Sequence, residues 1–140
     1  MQLGHRKNFL QHFHPQVVAL MGDQPALGLD NFIRQTQRVK PGFIRVDADE
    51  LSYPAHVILR YEIERALIEG EIEVDDIPAL WDEKMQQSLG IDTRGNYRDG
   101  CMQDIHWTDG AFGYFPTYTL GAMYAAQLFQ AVKRAIPQVD

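Results

Sequence analysis

Two short segments of this 140-residue chain hold the residue types that catalysis and ligand binding need. The richer segment runs from residue 100 to 107 and contains Asp104 and His106. An aspartate close to a histidine can hold the imidazole ring in one tautomer, a common arrangement in active sites. Such a pair can equally satisfy itself within an aromatic core, so the spacing leaves both interpretations open.

Two tyrosines, Tyr114 and Tyr118, follow this segment closely. Residues four apart lie on one face of a helix, so both phenols would face the same side if the helix already includes Tyr114. A phenol in that position can donate a hydrogen bond to a developing oxyanion. An aromatic helix cap packed in a core would show the same pattern, and the spacing does not separate the two.

The second segment, residues 44–49, alternates apolar and charged residues. In an extended strand Arg45, Asp47 and Asp49 would share one face. The pattern alone favours a solvated strand whose arginine is neutralised by its own aspartates. The functional interpretation is an arginine whose planar fork is oriented by carboxylates toward an anionic ligand group.

Several catalytic signatures are absent from the sequence, among them HExxH, GxSxG, the P-loop and GxGxxG. His12 and His14 would point to different faces of a helix and form a poor chelate. His56 precedes Arg60 by one helical turn and is most simply a surface or half-buried residue. Cys101 is the only cysteine, which excludes an internal disulfide and a cysteine-based zinc cluster.

Composition indicates an ordinary soluble globular protein, with 45% hydrophobic and 23% charged residues. The net charge is −6, and residues 46–110 hold sixteen acidic against five basic residues. This acidic middle repels phosphate and disfavours a nucleic-acid partner. No apolar run approaches about 18 residues, and no secretory signal is evident. We therefore expect one domain over residues 1–140, in the cytoplasm, without a membrane partner.

The elements that must position these residues are mainly helices. Apolar spacing predicts a helix from Leu3 to Met21 with a break at His14-Pro15, and a short helix capped by Asp30. Two further helices are predicted, from Ser52 to Gly70 and from Asp75 to Gly90. Residues 43–48 and 71–74 alternate like short strands.

A last long helix is predicted to begin near Pro116. Its apolar spacing predicts that the following side chains are buried: Leu120, Tyr124, Leu128, Ala131 and Ala135. Glycine and alanine give this helix a slim side that another helix can approach closely.

Both segments match short signatures of a known peptidase family. The first fits IRxxAD with Ile44, Arg45, Ala48 and Asp49. The second fits GxxQDxHW with Gly100, Gln103, Asp104, His106 and Trp107. The sequence thus resembles the carboxypeptidase Taq family of metallocarboxypeptidases (the M32 peptidases), and the resemblance covers essentially the whole chain.

This resemblance implies a mainly α fold: a helical bundle-like portion of a zincin-type metallocarboxypeptidase, with one or two short strands. Family members use zinc to remove residues from peptide C-termini and usually work as homodimers. Their zinc is held by two histidines of HExxH and a later glutamate, leaving a position for water. Neither metal-binding motif occurs here, so the resemblance implies a C-terminal portion that holds no zinc and is inactive alone.

Position by position, the resemblance implies that Arg45 pairs with the terminal carboxylate of the substrate. Asp104 and His106 would line the groove beside the metal, and Tyr114 or Tyr118 would donate to the oxyanion. The alternative hypothesis is a non-catalytic helical module that forms oligomers or binds a partner through the helix that begins near Pro116.

Overall fold

The computed structural model describes residues 4–139. Its α-helices are α1 (Lys7–Met21), α2 (Leu29–Thr36), α3 (Tyr53–Ile68), α4 (Ile77–Leu89) and α5 (Phe115–Ala135). The expected mainly α architecture is confirmed. Two compact units divide the chain, Met1–Lys40 and Pro41–Asp140. A single domain over residues 1–140 stays a prediction.

The first unit consists of α1, the turn Pro25–Leu27 and α2. Helix α1 passes through Pro15 without ending, so the predicted break is wrong. A proline removes only one helical hydrogen bond, and the flanking turns retain theirs. Gly28 rather than Asp30 caps α2, which leaves Asp30 in the first turn near the positive helix end. Leu3, where the helix was predicted to begin, lies outside the described residues.

The second unit is built on α3 and α4, which bury a shared apolar core. Leu59 and Ile63 of α3 pack there against Trp81 and Met85 of α4. Each pair is four residues apart, so both members lie on one helix face. This contact makes α3 a rigid base for the segments that follow.

Local signals set the ends of α3 and α4 as predicted. Helix α3 begins after Ser52 with Pro54 in its first turn, where the missing proline N–H is not needed. Gly70 follows its end with a φ of 72°, a left-handed conformation that favours glycine. Helix α4 ends at Gly90, but its N-cap is Asp76 because Asp75 lies in the turn Val74–Asp76.

The two predicted strands are wrong: none of residues 4–139 adopts strand structure. Arg45–Asp47 forms a 3₁₀ turn instead. The segment after α3 leads into a second such turn, in which the Asp76 carboxylate accepts a hydrogen bond from the Glu73 amide at 2.9 Å. A strand needs a neighbour for its backbone groups, and these turns satisfy theirs locally.

Helix α5 begins at Phe115 with Pro116 in its first turn, close to the predicted start. It packs against α3, and Phe115 is its one buried residue. The predicted burial of the later apolar residues is wrong, since all five are exposed: Leu120, Tyr124, Leu128, Ala131 and Ala135. A cleft between α3 and α5 is lined by Pro116, Thr119 and Leu120 of α5, and the apolar face beyond it is exposed at Met123, Tyr124 and Leu128. Within residues 4–139, no helix combines the length and apolarity needed to cross a bilayer.

Candidate functional site

Asp104 lies at the centre of a buried charge network that joins the two signature segments. Its Oδ1 accepts hydrogen bonds from Arg45 Nε at 3.1 Å and Nη2 at 2.7 Å. Its Oδ2 accepts one from Arg60 Nε at 2.6 Å. The side chains of Arg45, Arg60 and Asp104 are only 7%, 0% and 12% exposed. Buried charges persist when they are paired in this way.

Mutual stabilisation keeps all three groups ionised at neutral pH. Burial favours a higher pKa for Asp104, but hydrogen bonds from Arg45 and the charge of Arg60 outweigh it, so the pKa is lowered. Burial lowers the pKa of Arg60 to about 10, although Asp104 opposes the change. Burial also favours a lower pKa for Arg45, but the hydrogen bond to Asp104 and the charge of that carboxylate outweigh burial, so the pKa of Arg45 is raised.

Gln103 connects the same two segments through their backbones. Its Oε1 accepts a hydrogen bond from the Arg45 amide at 2.9 Å. Its Nε2 donates to the carbonyl oxygens of Phe43 at 2.9 Å and Asp99 at 2.7 Å. We did not predict this role from the sequence, although Gln103 is a fixed position of GxxQDxHW.

His106 faces the tyrosines rather than the aspartate. Its Nε2 is hydrogen-bonded to the Tyr118 hydroxyl at 2.9 Å, and its ring lies 4.3 Å from the Phe115 ring centre. Its Nδ1 lies 3.7 Å from Asp104 Oδ1, which is too long for a hydrogen bond. The expected Asp104–His106 hydrogen bond is therefore absent, because the arginines occupy the carboxylate.

An open cleft of about 280 Å³ lies beside this histidine. Its lining residues are Ile105, His106, Asp109, Ala111, Tyr114 and Tyr118. The rings of Tyr114 and Tyr118 are 5.3 Å apart, edge to face. Tyr114 is the N-cap of α5 rather than a helical residue, so the stated condition is not met, yet both tyrosines line this cleft. An imidazole and two hydroxyls are available there to a polar ligand.

Arg45 lies behind this cleft rather than on its wall. Its guanidinium carbon is 4.8 Å from the centre of the Tyr118 ring, and its Nη1 donates to the Tyr53 hydroxyl at 3.0 Å. Its ion-pair partner is Asp104, not the neighbouring Asp47 or Asp49. The self-neutralised strand favoured by the pattern alone is thus wrong. Arg45 and His106 both contact Tyr118, and both lie near the same Asp104 oxygen, at 2.7 Å and 3.7 Å.

Comparison with known proteins decides which family this arrangement belongs to. The model of the carboxypeptidase Taq (M32) metallopeptidases matches residues 1–140. The chain belongs to the M32 family. Carboxypeptidase 1 of Bacillus subtilis is 45% identical over 139 residues, which are 99% of this chain and 28% of the relative. Thermostable carboxypeptidase 1 of Thermus thermophilus is 45% identical over 141 residues, 99% of this chain and 27% of that protein.

Solved M32 structures share the fold of this chain. Metallocarboxypeptidase 1 of Trypanosoma cruzi superposes with a TM-score of 0.90 at 54% identity, over 97% of this chain and 28% of the other. The M32 carboxypeptidase of Deinococcus radiodurans gives 0.89 at 32% identity, over 98% of this chain and 28% of the other. This M32 chain therefore spans just over a quarter of the length of these relatives.

His56 of the M32 chain is buried, contrary to the expectation of a surface or half-buried residue. It is 0% exposed on α3, and its carbonyl oxygen accepts a hydrogen bond from Arg60 Nη1 at 2.8 Å. Burial, followed by the charge of Arg60, lowers the pKa of His56 to about 4. The imidazole is therefore neutral at physiological pH.

Glu64 is a second buried carboxylate that we did not predict as a site residue. Its Oε2 accepts a hydrogen bond from the Trp107 indole at 3.0 Å, and its Oε1 accepts one from the Gly113 amide. Arg60 lies four residues before Glu64, a helical spacing that commonly pairs opposite charges, but the two form no ion pair because Arg60 turns to Asp104. A helical spacing of four does not reveal that each charge has a stronger partner elsewhere in the fold.

The metal that M32 carboxypeptidases depend on has no matching ligand set in the described part of this chain. Among residues 4–139, no three or more histidine, cysteine, aspartate or glutamate side chains are grouped to hold an ion. An open zinc site needs three protein ligands. The donor set of the described residues does not fit zinc.

Proposed function

We propose that this chain forms the substrate-binding part of a metallocarboxypeptidase active site, which releases residues from peptide C-termini. The supporting observation is the cleft where His106 meets Tyr114 and Tyr118, with the Arg45–Asp104 pair directly behind Tyr118. Its M32 relatives are named carboxypeptidases. Peptide C-termini would be the partners, and the cytoplasm the compartment.

The tyrosines and the histidine would act on the scissile carbonyl. A phenol O–H of Tyr114 or Tyr118 would donate to the oxyanion as it develops. The hydrogen bond between His106 and the Tyr118 hydroxyl restricts that phenol and lowers the cost of orienting it. Asp104 would support the site by holding Arg45 beneath the Tyr118 ring.

Arg45 would recognise the terminal carboxylate of the substrate. A guanidinium carries five N–H donors, and those of Arg45 make two bonds to Asp104 and one to Tyr53. Two donors therefore remain for a ligand. Because the side chain is 7% exposed, the carboxylate would have to approach beside Tyr118.

A titration of the isotope-labelled chain tests this binding. The probe is an N-acetylated dipeptide with a free carboxylate, and its C-terminal amide is the control ligand. We expect the acid to shift the NMR signals of His106, Tyr114 and Tyr118, and the amide to bind more weakly. Arg45→Gln should abolish this preference, whereas Arg65→Gln, on the exposed side of α3, should retain it. Equal binding of acid and amide by the unaltered chain would refute the role of Arg45.

We further propose that the 140-residue chain alone binds no stoichiometric zinc and has no peptidase activity. The sequence lacks HExxH, which supplies two zinc ligands in the family. Metal analysis after dialysis, paired with an assay on a carboxy-free dipeptide, tests the proposal. One tightly bound zinc per chain together with turnover would contradict it.

A second candidate function is a helical module that forms homo-oligomers or binds a partner. The supporting observation is the α5 apolar face, which comprises Leu120, Met123, Tyr124 and Leu128, each 49–67% exposed. Exposed apolar patches commonly mark interaction surfaces. Sedimentation should show concentration-dependent association that Leu128→Gln abolishes. A monomer at all concentrations, without dye-binding apolar surface, would exclude this candidate.

A further inference from the structure

Glu64 binds the sequence neighbours of two residues that line the candidate cleft, although it lies outside both signatures. Trp107, whose indole donates to Oε2 at 3.0 Å, is adjacent in sequence to His106. Gly113, whose amide donates to Oε1, directly precedes Tyr114. One carboxylate therefore binds the immediate neighbours of two cleft residues, and it is only 2% exposed.

The loop between these two contacts contains its own backbone hydrogen bonds. It is held internally by hydrogen bonds from the Ala111 amide to the His106 carbonyl at 2.7 Å and from Gly110 to Trp107 at 3.1 Å. Gly113 has a φ of 78°, a conformation that glycine readily leaves. These turn bonds shape the loop, and its far end is joined to α3 both by the Gly113 bond to Glu64 and by the packing of α5, which begins at the buried Phe115.

Helix α3 provides the rigid element. Ile63, the residue before Glu64, is fully buried in the core shared by α3 and α4. The Trp107 ring also packs edge to face against Trp81, with ring centres 6.4 Å apart. Hydrogen bonds to a carboxylate are about twice as strong as those between neutral groups. A buried carboxylate on this helix can therefore fix both ends of the loop.

We infer that Glu64 is a positioning residue that sets the separation of His106 and Tyr114, whose ring centres lie 5.5 Å apart across the cleft. The carboxylate touches neither the cleft nor a ligand and acts through Trp107 and Gly113. The inference rests on the proposed function for the identity of the ligand, but the geometric effect can be measured without one.

The test compares Glu64→Gln with Glu69→Gln in the full 140-residue chain. Glutamine keeps one carbonyl oxygen and turns an NH₂ group toward the second donor, so one of the two hydrogen bonds is lost. The control Glu69→Gln removes the same charge from the C-cap of α3, where Glu69 is exposed and forms an ion pair with Arg65. The measurements are the Trp107 indole and Gly113 amide NMR signals, the nuclear Overhauser effect between the His106 and Tyr114 rings, and affinity for the N-acetylated dipeptide.

We expect Glu64→Gln to shift both signals, to alter the ring-to-ring Overhauser effect and to weaken dipeptide binding, because His106 and Tyr114 are no longer held at the separation that the ligand meets. Signals of the core residues Leu59 and Met85 should stay in place, which a general loss of structure would not allow. Glu69→Gln should behave as the unaltered chain.

The outcomes separate this inference from the proposed function. An unchanged Overhauser effect between the two rings in folded Glu64→Gln overturns the inference, whatever the ligand does. A changed Overhauser effect between the two rings supports the positioning role of Glu64. Equal binding of acid and amide by the unaltered chain counts against the proposed function but not against this role. If Glu64→Gln does not fold, Trp107→Phe replaces it, since that variant keeps the carboxylate and loses one bond. An unchanged effect in Trp107→Phe then overturns the inference.

Discussion

Replacing Asp104 by asparagine removes the one carboxylate that two buried guanidinium groups share. The variant keeps the shape of the side chain and one carbonyl oxygen, which can accept a hydrogen bond from one arginine. Its NH₂ group then faces the other arginine, donor against donor. Arg60 is fully buried, so its charge cannot turn to water for compensation.

The expected cost follows from this burial. Breaking a buried ion pair by removing one partner costs about 3–5 kcal/mol, because the remaining charge is left uncompensated. We expect Asp104→Asn to lower the free energy of unfolding by about this amount, a large part of the roughly 5–15 kcal/mol typical of folded proteins.

Urea unfolding followed by circular dichroism measures the loss as a lower midpoint with an unchanged slope. The matched control is Asp92→Asn, which removes the same charge from an ion pair with Arg94 whose side chains are 54% and 79% exposed. Solvent screens that pair, so we expect no measurable change. If the two variants had the same midpoint, the buried network would contribute nothing and the reasoning would be refuted.

Three further predictions follow from single residues. The pKa of His56 is lowered to about 4 in the folded chain, whereas a histidine in an unfolded chain has a pKa of about 6.5. Between about pH 4 and about pH 6.5 the unfolded chain therefore binds more protons than the folded chain. Stability should then fall as pH decreases from about 6.5 to about 4, and His56→Gln should flatten this dependence in urea titrations. Gly100→Ala should lower the melting temperature, since its Cβ would lie 2.6 Å from the Asn96 carbonyl oxygen. The control Gly121→Ala, on α5, places its Cβ where it meets nothing within 4 Å and should preserve or raise the melting temperature. Ile63→Ala, in the core, should cost about 2–5 kcal/mol in the free energy of unfolding.

Helix ends could be predicted from the sequence because short-range signals decide them. Gly70 and Gly90 follow the ends of α3 and α4 as predicted. Ser52 precedes α3 as predicted, but its hydroxyl makes no capping hydrogen bond, so Pro54 in the first turn is the signal that acts at that end. The strands were not predictable in this way. Alternation over residues 43–48 describes which side chains share a face, but a strand also needs a partner, and only the whole fold shows that none is present within the described residues.

The charge partners of the site could not be predicted, and every failure has the same form. Local spacing pairs Arg45 with Asp47 or Asp49, and Arg60 with Glu64. In the fold both arginines bind Asp104, which is 59 and 44 positions away. A charge near solvent is satisfied by its sequence neighbour, but a buried one needs several well-directed hydrogen bonds. Distant segments supply these bonds when they pack together.

The two buried carboxylates explain how α3 organises the site. Arg60 and Glu64 are one turn apart on this helix, yet each binds a different part of the segment that follows residue 100. Together with Arg45 and Asp104 they form a buried set of two positive and two negative charges. The set carries no net charge and each member has hydrogen-bond partners, so burial costs less per charge than for an isolated, unpaired ion. Each of these carboxylates accepts more than one hydrogen bond: losing Asp104 would release Arg45 and Arg60, and losing Glu64 would release Trp107 and Gly113. We therefore expect both Asp104→Asn and Glu64→Gln to alter the cleft, although neither carboxylate lines it.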